Sequence, residues 1–240
     1  MAYLTVKQEK LLKKLLRIFF AIPYSTDLDG KDVESLLKIV KKSEGRISKR
    51  KELFDIVDGK FGYSVKTLKK TPQSVRVDLQ EQRFCDPINK DSSPDEQGEI
   101  LLSYMVRRIK EQMENRSVVI AKSLILLKHW NKERTSFFFK YWEEDFLGYI
   151  EELWQRNLAG EIEWIKLESG LHGRDLKRQD EKGNNVRLVR MHYKHNQIFT
   201  DHDIPKDANI IEFDSHPLSW SEVVEAIEEK IDGRSCLTPY

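Results

Sequence analysis

Cysteine is nearly absent from this chain. Cys85 and Cys236 are the only two in 240 residues; they lie far apart, form no metal-ligand spacing, and fit a reducing cytoplasm. An excess of charge of one sign is missing too, with 41 Lys and Arg against 40 Asp and Glu and a formal net charge of +1. That excludes a polybasic tail-binder but not a DNA-binding protein, because local patches matter more than totals. No run of 18 apolar residues exists, so no membrane span is expected. Residues 7–22 carry Leu11, Leu12, Leu15, Leu16, Phe19 and Phe20 between lysines. Glu9 and the lack of an unbroken apolar stretch set this segment apart from a signal peptide, and it predicts an amphipathic helix packed on the core or on a partner subunit. Internal repeats and low-complexity tracts are absent. The length suits one large domain or two small ones, and with no composition shift to mark a boundary the expectation is one domain over 1–240.

What is present begins with Leu53-Phe54-Asp55-Ile56-Val57-Asp58-Gly59-Lys60-Phe61-Gly62-Tyr63-Ser64-Val65-Lys66. Both halves are rich in β-branched and aromatic residues, with turn signals between them, which predicts a β-hairpin. A four-residue loop, Gly59 to Gly62, pairs Asp58 with Tyr63, Val57 with Ser64, Ile56 with Val65 and Asp55 with Lys66. Alternate residues of a strand share a face, so Asp55, Val57, Ser64 and Lys66 would share one face, and Phe54, Ile56 and Val65 the apolar other. A two-residue Asp-Gly turn would pair Val57 with Lys60 instead; the loop length is an assumption of this reading.

Upstream, Asp27 or Asp29 can cap a helix in which Val33, Leu36, Leu37 and Val40 follow the spacing of a buried face. Glu34 lies at the edge of that face, where a carboxylate can reach a neighbouring sheet. Two carboxylates, with a backbone carbonyl such as that of Val65, can hold a hard divalent cation. Such an ion activates water and neutralises charge on a phosphate. A lysine beside it, Lys66, can orient the attacking water and stabilise the transition state. The plain alternative is a surface hairpin with a solvated Asp and Lys, although both types are disfavoured in strands.

These residues resemble the PD-(D/E)XK nuclease superfamily, and within it type II restriction endonucleases and the related mismatch-repair nicking enzyme. The family pattern is an acid on one strand and acid-x-Lys on the next, often with a glutamate on a preceding helix. Asp55 matches the first acid, Lys66 the lysine and Glu34 the helical glutamate. The chain departs at the second acid, where Ser64 stands; some restriction enzymes carry a non-acidic residue there and draw the missing carboxylate from a helix. The resemblance covers roughly residues 27–70 and implies an α/β (α+β) fold with a central mixed β-sheet flanked by helices. It further implies Mg²⁺-dependent cleavage of double-stranded DNA, with Glu34, Asp55, Ser64 and Lys66 as catalytic residues and Glu34, Asp55 and Val65 as metal ligands.

Further along, strands are expected at Ser74–Leu79, within Ser117–Trp130, over the aromatic run Phe137–Trp142 (a core strand or a base-stacking platform), and at Glu161–Leu167. Ser93-Pro94 opens a helix to about Asn115, whose Arg107, Arg108 and Lys110 could contact phosphates. A second helix covers Asp145 to Arg156. Leu171 to Asn185 reads as a polar loop, Val186 to Lys194 as a strand that Ile198-Phe199 can continue, and Ala208 to Phe213 as a short apolar segment. Ser219-Trp220-Ser221-Glu222 is a capping box opening a last helix, to about Ile231.

Arg187 to Gln197 is the densest cluster of hydrogen-bonding side chains. Arg and Lys pair with guanine edges, and Asn and Gln with adenine. By strand parity Arg190, His192 and Lys194 form one stripe, with Arg187 on the opposite side. The expected DNA contacts are Arg190, His192, Lys194, Asn196 and Gln197, within recognition elements at about 170–200. Asp201-His202-Asp203 with Asn209 and His216 has the residue types of a His-Asn-His nuclease but not its intervals. The expectation is thus a cytoplasmic, Mg²⁺-dependent, site-specific endonuclease acting as a homodimer on a symmetric target, or as one subunit of a heterodimer. The alternatives are a repair nicking enzyme and a non-catalytic DNA- or partner-binding protein.

Overall fold

Two amphipathic helices open the described chain: α1 (Val6–Ala21) and α2 (Gly30–Lys41). A computed structural model describes residues 3–21, 28–41, 53–68, 74–80, 91–130, 136–194, 197–214 and 219–225. The apolar faces of α1 and α2 bury Leu12, Leu16, Val33, Leu37 and Val40 against one face of a five-stranded sheet. That sheet has the order β1-β2-β4-β5-β10, formed by β1 (Ile56–Asp58), β2 (Phe61–Leu68), β4 (Ile120–Trp130), β5 (Ser136–Asp145) and β10 (Asn209–Asp214). It is mixed: β2 and β4 run parallel and the other pairs antiparallel. Parallel neighbours need a long crossover, and the segment from β2 to β4 contains β3 (Ser74–Gln80) and α3 (Pro94–Asn115).

On the other face of this sheet lie α3 and α4 (Phe146–Leu158). They bury Leu101, Leu102, Met105, Ile109, Ile150 and Leu153 between Ala121 of β4 and the inner side of a second sheet. The second sheet is antiparallel, in the order β3-β9-β8-β7-β6. Its other strands are β6 (Ile162–Leu167), β7 (Gly170–Gln179), β8 (Asn185–His192) and β9 (Gln197–Asp203). The layers are therefore helices, mixed sheet, helices and antiparallel sheet, an α+β arrangement. Among the described residues no helix is long and apolar enough to cross a membrane.

Local chemistry accounts for the boundaries. At α3 the Ser93 hydroxyl accepts from the Glu96 N–H at 3.2 Å and Pro94 occupies the first turn. At α4 the Asp145 carboxylate accepts from Gly148 N–H at 3.0 Å. The capping box before residue 220 forms as expected, with Ser219 N–H donating to Glu222 at 2.7 Å and Glu222 N–H to Ser219 Oγ at 3.4 Å; its extension to Ile231 falls outside the described residues, as do Cys85, Cys236 and His216. The aromatic run is core, with Phe139, Tyr141 and Trp142 all buried. Arg107 and Arg108 pair with Glu111 and Lys110 with Glu151.

Two expectations are corrected. Leu171 to Asn185 is mostly strand β7, not loop. Its glycine and acid are strand residues with tertiary partners: a Cβ on Gly173 would come within 2.9 Å of the Trp164 ring, and the buried Asp175 meets the Arg156 guanidinium at 2.7 Å. Ile198-Phe199 does not continue β8; it belongs to β9, which turns back antiparallel with His192 opposite Gln197.

Trp164 joins the helical layer to the second sheet. Its indole N–H donates to Asn157 of α4 at 2.5 Å, and a Cβ built on Gly98 of α3 would lie 2.0 Å from its ring. Replacing an ordinary mid-helix glycine by alanine gains about 1 kcal/mol. Here the sign should reverse: Gly98→Ala is expected to lower stability by roughly 1–3 kcal/mol through overpacking, read as a lower urea midpoint with an unchanged slope. A raised midpoint would contradict this packing.

Candidate active site

The hairpin forms with a shorter turn than expected. Ile56 pairs with Tyr63, Val57 with Gly62 and Asp58 with Phe61, which leaves Gly59 and Lys60 as a two-residue turn. Gly59 has φ 58°, the left-handed conformation that favours glycine in such turns. The register differs by two residues from the four-residue loop, so each residue keeps its face: Val57, Ser64 and Lys66 share one, and Ile56 and Val65 the other.

The chain then bends at Asp55. The Asp55 N–H still donates to the Tyr63 carbonyl at 2.8 Å, but the ladder ends there. Phe54, expected beside Ile56, lies in the opposite core, its ring over Gly62, where a Cβ would meet it at 2.8 Å. Asp55 accordingly does not sit on the face of Ser64. Its Oδ2 accepts the Val65 N–H at 2.7 Å, taking the place of the carbonyl a longer β1 would have offered. Alternate residues of a strand direct their backbone groups to the same edge, so the Val65 carbonyl faces this edge beyond the end of β1.

Helix α2 is fixed beside that edge at both ends. Asp29 and Asp32 cap it reciprocally, with Asp32 N–H donating to Asp29 Oδ1 at 2.9 Å and Asp29 N–H to Asp32 Oδ2 at 3.0 Å. The buried Lys128 ammonium of β4 donates to the Leu28 carbonyl just before the helix. At the other end Lys41 donates to the Tyr3 carbonyl, lies 4.0 Å from the centre of the Tyr3 ring and faces Asp58 at 3.9 Å. One helical turn apart on α2, Glu34 and Lys38 are presented together, Glu34 half-buried and Lys38 only 8% exposed.

Glu34, Lys38, Asp55 and Lys66 thus form one electrostatic cluster. Burial, and next the Asp55 charge, raise the Glu34 carboxyl above its ordinary range, while Lys38 and Lys66 pull it down. Burial also raises Asp55, against the pull of Lys66, the Val65 N–H and Lys38. Lys38 was not singled out by sequence reasoning. Its place four residues after Glu34, beside the apolar positions Leu37 and Val40, was the available signal.

Glu34, Asp55 and the Val65 carbonyl are an all-oxygen donor set of the kind a hard divalent cation takes, and the raised carboxyls are groups whose charge a cation would stabilise. Ser64 supplies no further ligand. It is fully buried opposite Ser123 of β4, and neither hydroxyl makes a hydrogen bond among the described residues, which speaks against a direct part for it in catalysis. No group of three or more His, Cys, Asp or Glu side chains able to hold a metal occurs among the described residues.

Of the expected DNA contacts, Arg190 and His192 lie on β8 and Gln197 opposite His192 on β9. Lys194 is exposed in the turn after β8, so it does not extend their stripe; Asn196, like His195, lies outside the described residues. Arg187 is not on the opposite side: a register shift between Gly173 and Arg174 pairs it with Arg174. His202 is buried between Glu144 and Thr200, its Nδ1 against the Glu144 carboxylate and its Nε2 2.7 Å from Thr200 Oγ1. No family model, curated protein or solved structure matches the chain.

Because burial raises the Glu34 and Asp55 carboxyls, their protonated forms favour the fold. That contribution is complete below the ordinary carboxylate range, near pH 4, and is lost as pH rises through the raised values. In EDTA, Asp55→Asn keeps an acceptor for the Val65 N–H and removes one of the two charges. Its urea midpoint should fall less than that of the unsubstituted chain between about pH 4 and neutrality. Parallel midpoints across that range would contradict the electrostatic account.

Proposed function

We propose that the chain is a Mg²⁺-dependent endonuclease that hydrolyses DNA phosphodiester bonds at specific sites, with a restriction-endonuclease-like fold. The observation that supports the reading is that Asp55 lies close enough to Glu34 and Lys66 for their charges to act on one another beside the edge of β2, the acid-lysine-glutamate set of the PD-(D/E)XK resemblance. The mixed sheet flanked by helices on both faces supports the same reading. Glu34, Asp55 and the Val65 carbonyl would hold one divalent cation, which supplies Lewis acidity towards the phosphate.

The chain's own groups do the rest. The Val65 N–H fixes one oxygen of Asp55 and leaves the other for the ion. Lys66 orients a water on the phosphorus and offsets charge on the non-bridging oxygens as the new P–O bond forms. The attacking water gives up a proton to solvent, and the leaving oxygen departs as the old bond breaks and takes a proton from solvent. Lys38 adds a second positive charge beside the two carboxylates. A homodimer would present two such sites to a symmetric target, and a heterodimer one. The presence of Ser64 where the family has an acid favours one rival, a binding protein that has lost catalysis.

Incubating the purified chain with unmethylated phage and plasmid DNA in Mg²⁺ or EDTA separates the two. Discrete fragments in Mg²⁺ are expected, with Lys66→Ala lowering the rate by roughly a hundredfold or more while DNA binding persists. Lys38→Met should lower it by a smaller factor. Binding without cleavage by the unsubstituted chain in Mg²⁺ or Mn²⁺ would establish the rival.

A further inference from the structure

The second sheet has one face committed to the core through Trp164, Leu171, Val189, Met191 and Ile198. Directly paired residues share a face, so the register defines what the other face carries. His172 is opposite Arg190, Arg174 opposite Arg187, Arg190 opposite Phe199 and His192 opposite Gln197. In a regular strand Arg187 and Arg190, three apart, would point to opposite sides. The irregularity between Gly173 and Arg174 brings them to the same one, while Leu188 and Val189 between them are both buried. Three arginines and two histidines therefore converge on β7 and β8.

These side chains are half-buried against one another. The Arg190 guanidinium lies 4.2 Å from the centre of the Phe199 ring, and His192 meets the same ring edge-on at 5.3 Å. Arg187 is held by Asp201 at 2.6 Å. Acids flank the cluster: Glu163 on the edge strand β6 stands opposite Arg174, Asp201 and Asp203 lie on β9, and Asp78 of β3 is paired with Phe199. At the centre the field is positive, and burial together with Arg187, Arg190, Arg174 and His192 pushes the His172 imidazole down to about 4.

Like charges directly opposite one another destabilise a sheet. Arg174 stands face to face with Arg187, an arrangement that Asp201 offsets in part through Arg187 and that an anionic ligand would relieve further. Arginine held over an aromatic ring has its planar N–H fork restrained, and that fork suits a guanine edge or a phosphate; Gln197 adds an amide suited to adenine. The sheet's edge strand β3 contacts β2, the strand that carries Lys66.

We infer that the outer face of the second sheet, centred on Arg174, Arg187 and Arg190 with His172, His192 and Gln197 beside them, docks double-stranded DNA. The choice of DNA among polyanions rests on the endonuclease reading; the face itself does not. Arg174 and Arg190 make the phosphate or base contacts, and Asp201 positions Arg187 among them.

The test uses the full chain carrying Lys66→Ala, in EDTA, so that binding is read without cleavage. Anisotropy of a labelled duplex is measured over a range of salt concentrations for this protein and with Arg174→Gln or Arg190→Gln added, each checked for an unchanged circular dichroism melt. Each replacement should weaken binding by on the order of tenfold, and one that removes a phosphate contact should also flatten the salt slope by about one. Unchanged affinity and slope in both folded variants, or no duplex binding by the Lys66→Ala chain, would overturn the proposal. Equal binding of an RNA duplex would overturn the assignment to DNA. If the unsubstituted chain binds duplex through these arginines yet never cleaves it, the face stands and the endonuclease reading fails. If it cleaves and neither arginine matters, the reverse holds.

Discussion

The candidate site depends on a strand that ends one residue early. A backbone N–H at a sheet edge must find an acceptor or face water; that of Val65 finds the carboxylate of Asp55 because the backbone joins the ladder only from Ile56 onward. From this one substitution of side chain for main chain the rest follows. Phe54 crosses to the opposite core and closes over Gly62. The Val65 carbonyl is left facing the same edge, which no strand pairs there among the described residues, and Asp55 is held half-buried beside it. Had β1 continued, that edge of β2 would be paired and the proposed cation site would not exist.

Helix α2 completes the site, and its position is set by groups outside it. Lys128, buried in β4, holds the chain at Leu28, and Lys41 holds the far end at Tyr3. Both are lysines sunk among apolar neighbours, where an unpaired charge is costly, so the carbonyls they meet are structural necessities. Between these anchors Glu34 and Lys38 face Asp55 and Lys66, two acids with two bases. The cluster carries no net charge of its own, and a bound cation would leave it net positive towards a phosphate.

Much of this was legible in the sequence, for identifiable reasons. Period-two alternation survives a two-residue error in register, so the faces of Val57, Ser64 and Lys66 could be read although the turn length could not. The caps at Asp29, Ser93 and Ser219 are local chemistry and formed as read. What failed depended on distant partners. Gly173 and Asp175 look like loop residues until Trp164 and Arg156 stand against them. Arg187 joined Arg190 only through a bulge, which no strand periodicity reveals. Ser64 reads as a weak substitute for an acid, and its pairing with the buried Ser123 could not be foreseen from the hairpin alone. Lys38 was hidden among the many lysines that end helices.

The central claim is that Asp55 and Glu34 form one divalent-cation site at the edge of β2. Calorimetric titration of Mn²⁺ into the metal-free chain, beside Asp55→Asn, addresses it directly. The account predicts a single ion per chain, bound at least about tenfold more weakly when Asp55 is replaced. An ion held equally well by both proteins, or no ion held by the unsubstituted chain, would contradict it.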